Sequence, residues 1–190
     1  KVAYIGADYL ISDGLLVGAL ASIDDFSNRG PLSAGEAEGD GWMAGPYVMT
    51  KIGPNLYGEA RAAWGKSDNR VSPLGTYVDQ FDTSRSLYSG SIVGHFDFDG
   101  GTSIRPELTV RYVKEQAEAY VDSLGVTIPG QTVDQGDISF RPRLQHVVQM
   151  DSGWSLRPYG ELEGIYTFGL NANPLIADRL PVGTVNIGTL

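Results

Sequence analysis

The sequence predicts an all-β fold, an antiparallel up-and-down transmembrane β-barrel. Apolar and polar side chains alternate with a period of two along most of the 190 residues. Short and long connections between the alternating segments follow one another without exception. The many glycines and tyrosines, together with the lack of Ala-Leu-Glu-Lys stretches typical of helices, favour many strands joined by tight turns.

The alternation divides the chain into nine strands, the last of which is only begun. These strands cover residues 2–11, 15–23, 42–52, 56–66, 84–98, 104–112, 137–149, 155–168 and 182–190. Their short connections are rich in Asp, Asn, Gly and Pro, which adopt the backbone angles that tight turns need. The short connections are Asp13-Gly14, residues 53–55, residues 99–101 and residues 151–153.

The long connections cover residues 24–41, 67–83, 114–136 and 170–181, so they all lie at one end of the predicted sheet. A soluble sandwich has no reason to gather its long loops at one end. An outer-membrane barrel does, because its periplasmic turns are short and its external loops are long. The connections therefore favour a barrel with the short turns in the periplasm.

The fourth, sixth, seventh and eighth predicted strands each carry a charged column, and together these columns contain both signs of charge, while the opposite columns carry almost none over the 9–11 residues that cross a bilayer. Charges on neighbouring strands that face a wet lumen can pair across the sheet. We therefore expect a set of charged side chains to line a pore. This set is Glu59, Arg61, Arg105, Glu107, Arg111, Arg141, Arg143, Arg157, Glu161 and Glu163.

Aromatic side chains lie near the ends of the apolar columns. Tyrosine, tryptophan and phenylalanine at such positions are typical of the girdles at both membrane interfaces of a barrel. The predicted interfacial aromatics are Tyr9, Trp42, Trp64, Phe98, Tyr112 and Tyr166.

Composition excludes several other classes of function. The net charge of −9 provides no basic face for a nucleic acid. The lack of cysteine excludes thiolate metal sites and a disulfide scaffold. No apolar run approaches the length of about 18 residues that a transmembrane helix needs.

No catalytic set emerges, and we expect neither an enzyme nor a bound cofactor or metal. His95 and Asp97 share one face of a predicted strand, where a hydrogen-bonded pair in the lumen is expected rather than an acid–base pair. His146 falls in the apolar column near the periplasmic interface. Glu36, Glu38 and Asp40 could offer oxygens to Ca²⁺, but a solvated acidic loop is the simpler interpretation.

The number of predicted strands indicates whether the sequence can form a closed barrel. With short turns in the periplasm, the first predicted strand descends from outside and the ninth also begins outside. Nine strands would leave unpaired edges in lipid, so at least ten are needed. We therefore expect the sequence to be a piece of a larger barrel.

Four stretches together resemble the autotransporter β-domain, the translocator of type V secretion. They are Ile5 to Gly18, Gly41 to Tyr47, Arg105 to Leu108 and Leu156 to Leu162. The resemblance implies a barrel of 12 strands in the outer membrane, with one strand before and two after those counted here. It also implies a passenger domain in the same polypeptide as partner, and assembly by the barrel-assembly machinery.

The function expected from this resemblance is export or display of an N-terminal passenger. Two alternatives remain from the residues themselves. A smaller closed barrel of eight to ten strands could act as a surface adhesin through its long loops. A soluble carbohydrate-binding sandwich would also alternate, with its apolar face in a core and its charges in water.

Overall fold

The computed structural model describes residues 1–29, 36–72, 77–151, 153–169 and 186–187, and every regular element in these ranges is a β-strand. In the described part of the chain, no helix is long and apolar enough to cross a bilayer. The strands are β1 (Val2–Ser12), β2 (Leu15–Arg29), β3 (Glu36–Gly53), β4 (Leu56–Ser72), β5 (Asp79–Gly94), β6 (Phe96–Phe98), β7 (Thr102–Ala117), β8 (Tyr120–Val121), β9 (Thr127–Ile128), β10 (Gln131–His146), β11 (Val148–Gln149), β12 (Ser155–Leu156), β13 (Tyr159–Phe168) and β14 (Asn186–Ile187).

Nine of these strands form one antiparallel sheet in chain order, β1-β2-β3-β4-β5-β7-β10-β13-β14. The short strand β6 pairs with β7, and two further hairpins, β8–β9 and β11–β12, stand off the main sheet. The predicted up-and-down order of nine strands is confirmed. Among the described residues, no second large sheet packs against the first.

Several strands are longer than the sequence predicts. Strand β2 continues to Arg29 and β3 begins at Glu36, so most of the predicted loop 24–41 is paired strand. In the same way β4 reaches Ser72 and β5 begins at Asp79, within the predicted loop 67–83. Backbone pairing needs no apolar side chains. The polar ends of these strands therefore extend the sheet beyond its apolar band.

A break replaces the single strand predicted over residues 155–168. Strand β12 ends at Leu156, β13 begins at Tyr159, and Arg157 and Pro158 lie between them. Proline has no N–H to give to a ladder. The Pro158 carbonyl still accepts a hydrogen bond of 3.0 Å from the His146 N–H.

Another correction concerns Pro142, because a descending strand that begins at residue 137 would place this proline toward the external side. Pro142 instead pairs directly with Pro106, four residues before the periplasmic end of β10 at His146. The reason is that β10 begins at Gln131 rather than at residue 137, which moves Pro142 toward the lower end of its strand.

The periplasmic turns are staggered along the sheet. From the level of Leu15 the wall continues through Thr50 to the end of β3 at Gly53. Beyond Gly94, which pairs with Leu56, β6 adds residues down to Phe98 before the turn at Gly100 and Gly101. Each successive hairpin thus ends lower on the sheet than the one before, as strands do when they tilt to close a barrel.

The sheet has almost no conventional core. Ala63 is the only buried apolar residue in the described ranges. The other buried residues are three glycines and a polar set, and they are Gly39, Gly94, Gly136, Ser22, Ser67, Asn69, Ser72, Asp79, Thr83 and Asp134. A single curved layer leaves both of its faces open, so the chemistry of each face must suit what lies against it.

Candidate functional site: the two faces of the wall

Strand pairing joins residues into transverse rows, and one row is wholly apolar. Each member pairs with the next, and neighbours directly opposite in an antiparallel sheet lie on the same face. The row is Tyr9, Val17, Val48, Ala60, Gly90, Val110, Ile138 and Tyr166. We call the face that carries this row the convex face.

The adjacent row lies on the opposite face and is polar over most of its length. Its members are Asp8, Gly18, Tyr47, Arg61, Ser89, Arg111, Asp137 and Thr167. The Tyr47 hydroxyl donates to Asp8 Oδ2 at 2.7 Å. Asp137 accepts from Arg111 Nη2 at 3.0 Å and from Thr167 Oγ1 at 2.9 Å. We call this the concave face.

A long-range ion pair shows which way the sheet curves. Arg85 Nη1 donates to both carboxylate oxygens of Asp24, at 2.9 Å each. The two residues lie on β5 and β2, three strand spacings apart, or about 14 Å along a flat sheet. That exceeds the reach of the two side chains, so the polar face must be the inside of the curve. Gly41 leaves room for the pair, because a Cβ there would lie 2.4 Å from Arg85 Nη1.

A second charged cluster lies nearer the periplasmic end of the concave face. Glu107 pairs with Arg141 across the sheet, and Arg141 Nη2 donates to Glu163 Oε1 at 3.1 Å. Arg143 pairs with Glu161, and its guanidinium lies 4.0 Å from the centre of the Tyr159 ring. The concave face therefore carries charges of both signs from β7 to β13.

Nine of the ten residues predicted to line a pore occupy strand positions with concave-face parity. The register connects Glu59, Arg61, Arg105, Glu107, Arg111, Arg141, Arg143, Glu161 and Glu163 to the concave rows. Arg157 is the exception, since it lies in the break between β12 and β13. Contact with a pore remains a prediction for the whole set.

Sequence patterns miss several other concave residues. Asp24 and Glu115 fall in segments predicted as loops, and Glu115 Oε1 accepts from Thr83 Oγ1 at 2.6 Å while its Oε2 lies 3.6 Å from Arg85 Nε. In the sequence, Asp137 is recognised only as the first residue of a predicted strand. Continuing the alternation past the predicted strand ends would have placed Asp24 and Glu115 on the charged column.

The six predicted interfacial aromatics all have convex-face parity. The convex rows contain Tyr9, Trp42, Trp64, Phe98, Tyr112 and Tyr166. Trp64 Nε1 donates to the Tyr88 hydroxyl at 3.0 Å, and the two rings meet edge to face. Tyr88 was not predicted as interfacial, and neither was Trp154, which is 76% exposed beside a periplasmic turn. The membrane role of these aromatics remains a prediction.

The candidate acid–base residues contact neighbouring polar side chains, and the candidate metal residues lie within a strand. His95 Nε2 lies 3.2 Å from Asp97 Oδ1, and His146 Nδ1 lies 2.8 Å from Thr102 Oγ1. Glu36, Glu38 and Asp40 lie in strand β3 rather than in a loop. The described ranges contain no group of three His, Cys, Asp or Glu side chains that could hold a metal ion.

An antiparallel sheet with strands in chain order, an apolar convex row and a charged concave face defines a wall of the outer-membrane β-barrel class. A family model of the autotransporter beta-domain matches residues 1–184. The chain therefore belongs to the autotransporter beta-domain family. It is a translocator barrel of type V secretion in the bacterial outer membrane, and a passenger domain is linked to it.

Solved structures share the fold. The beta domain of the Bordetella autotransporter BrkA is 18% identical, with a TM-score of 0.71 over 88% of this chain and 70% of that one. The outer membrane transporter YddB from Escherichia coli is 10% identical, with a TM-score of 0.50 over 87% of this chain and 25% of that one. A comparison with curated proteins gives no match.

Proposed function

We propose that the concave face is the lining of the translocation pore and that its charges contact the passenger in transit. The observation that supports this most directly is the contrast between two adjacent rows. The row through Val110 is apolar, while the neighbouring row through Arg111 carries Asp137 and Arg61. In a protein of this family, a wall with lipid on one side and water on the other needs this contrast at every second residue.

The charges on the concave face suit a transient contact. The Arg111 side chain is 56% exposed although it contacts Asp137, and Arg141 remains accessible beside Glu163. Ion pairs in contact with water contribute little individually and exchange partners easily. A polypeptide of either charge can therefore replace one partner briefly without a large penalty. Such a lining favours passage over tight binding.

We further propose that the chain acts as a conduit and not as an enzyme, and that the barrel-assembly machinery inserts it. Family membership supports the second proposal. The proposal that the chain is not an enzyme is supported by its two histidines. They contact Asp97 and Thr102, and neither lies in a nucleophile–base–orienter constellation. Hydrolysis of ester or peptide substrates by the purified barrel would contradict this proposal. Insertion that continues at the normal rate after depletion of the barrel-assembly machinery would contradict the proposed role of that machinery.

Cysteine labelling tests the lining, and the chain offers a background without cysteine. The matched pairs are Arg111→Cys against Val110→Cys and Glu107→Cys against Leu108→Cys. In intact cells, a membrane-impermeant maleimide should label the members at 111 and 107 at least tenfold faster than their neighbours. Faster labelling of the variants at 110 and 108 would place the lumen on the other face and overturn the proposal.

A further inference from the structure

The short hairpin β8–β9 has a rigid turn of its own. Asp122 Oδ1 accepts hydrogen bonds from the backbone N–H of Leu124 at 3.0 Å and of Val126 at 2.7 Å. Gly125 adopts a positive φ of 80° and donates its N–H to the Asp122 carbonyl. Tyr120 pairs with Ile128 to close the hairpin. Because these bonds lie within residues 120–128, the hairpin can keep its shape when its surroundings change.

Two contacts tie this hairpin to the first residues of β5. Asp79 Oδ1 accepts from both the backbone N–H and the hydroxyl of Ser123, at 2.9 Å each. The rings of Phe81 and Tyr120 stack with centroids 5.2 Å apart and planes 13° apart. Asp79 is only 6% exposed. Burial and the nearby Asp79 and Asp122 carboxylates raise the pKa of Tyr120.

The contacts lie on the concave face at the external end of the wall. Asp79 and Phe81 have the same strand parity as Thr83 and Arg85, whose partners Glu115 and Asp24 belong to the concave rows. β5 begins at Asp79 on the side of the long connections. The hairpin therefore folds inward over the concave face instead of continuing upward from β7.

The attachment covers only one part of the hairpin. Val121 and Leu124 are 65% and 66% exposed, so the apolar tip contacts little of the wall. Asp79 and Phe81 on β5 are thus the two points that hold the hairpin down, and its links to β7 and β10 are the points about which it can turn.

We propose that the β8–β9 hairpin is a lid over the external mouth of the barrel, held closed by a latch of Asp79 and Phe81. The proposal rests on the concave face being the lumen, and it adds a closed and an open state to the proposed conduit. Opening breaks the two Ser123 hydrogen bonds and the Tyr120 stack, while the internal bonds of the hairpin persist.

Single-channel conductance of the complete protein in planar bilayers tests the lid. Asp79→Cys with Ser123→Cys, joined by a short thiol crosslinker, should lower the mean conductance about twofold or more and suppress transitions, and reduction of a cleavable linker should reverse both. Asp79→Ala with Phe81→Ala should raise the mean conductance. Gln80→Ala with Asp82→Ala changes exposed residues of the same strand and is the matched control.

A heat-dependent gel shift should show that every variant is a folded barrel. Equal conductance of the locked, released and control variants would overturn the lid. The cysteine labelling of residues 107–111 separates this outcome from failure of the pore itself. If the variant at 111 labels rapidly but the lid variants do not differ, the pore proposal holds and the lid does not.

Discussion

The first half of the wall, β1 to β3, and the second half, β7 to β13, have similar convex faces but different concave faces. On the convex face, the apolar row runs from β1 to β13 without a change of character. On the concave face, β1 to β3 offer mainly small and apolar residues such as Gly18, Leu20 and Gly45, whereas β7 to β13 offer ion pairs. Lipid imposes one requirement along the whole row, while a wet lumen, as proposed for the concave face, accepts either close packing or charge.

Close contacts hold the first half together. Tyr47 lies across Gly18 to reach Asp8, and a Cβ at Gly18 would come within 2.6 Å of the tyrosine ring. Gly45 faces the neighbouring strand even more closely, since a Cβ there would lie 1.9 Å from the Ala62 carbonyl oxygen. An open site in the second half is Gly164, which lies on the convex face and where a Cβ would meet nothing within 4 Å.

The largest expected effect comes from breaking the packed half. Gly45→Val should lower the free energy of unfolding by about 3 kcal/mol or more, because the backbone of β4 must move away from the added side chain. Urea unfolding of the barrel in detergent micelles, followed by the heat-dependent gel shift, measures this change.

Gly164→Val is the matched control for that substitution and should cost less than about 1 kcal/mol, since its site is open. Equal losses at Gly45 and Gly164 would show that the loss at Gly45 does not come from its close packing against β4.

A smaller effect is expected from the charged half. Asp137→Ala removes the acceptor for Arg111, Thr167 and Gln135 Nε2 and should cost about 1–3 kcal/mol in urea unfolding. Asp68→Ala is the control, because Asp68 is exposed and carries neither an ion pair nor a side-chain hydrogen bond among those of the described ranges. An equal loss in the two variants would remove Asp137 as the centre of this cluster.

The smallest effect belongs to the partly exposed ion pair of Arg141 and Glu163. A double-mutant cycle of Arg141→Met and Glu163→Gln should give a coupling of about 0.2–1 kcal/mol at low salt. At 1 M salt, where the Debye length falls to about 3 Å, the coupling should shrink. A coupling that is large and independent of salt would mean that the second half is dry and packed like the first.

The faces of the wall could be predicted from sequence because lipid and water enforce a period of two. The strand ends could not, because above the bilayer both faces are wet and polar residues such as Glu38 pair through their backbones as well as apolar ones do. The Arg85–Asp24 ion pair forms because the sheet is curved, and the alternation of residues along a strand does not predict that curvature. An interruption of the strand at Pro158 could be predicted, because proline has no N–H for the ladder. That the interruption also leaves Arg157 outside both strands could not.

The stagger of the periplasmic turns changes what a transverse row means. Tyr9 and Tyr166 belong to one row, yet Tyr9 is three residues from the periplasmic end of β1 and Tyr166 is two residues from the external end of β13. The row therefore climbs around the barrel as a helical path from one leaflet to the other. A charge introduced at Ala60, midway along that path, would meet the bilayer centre, whereas the same charge at either tyrosine would meet headgroups.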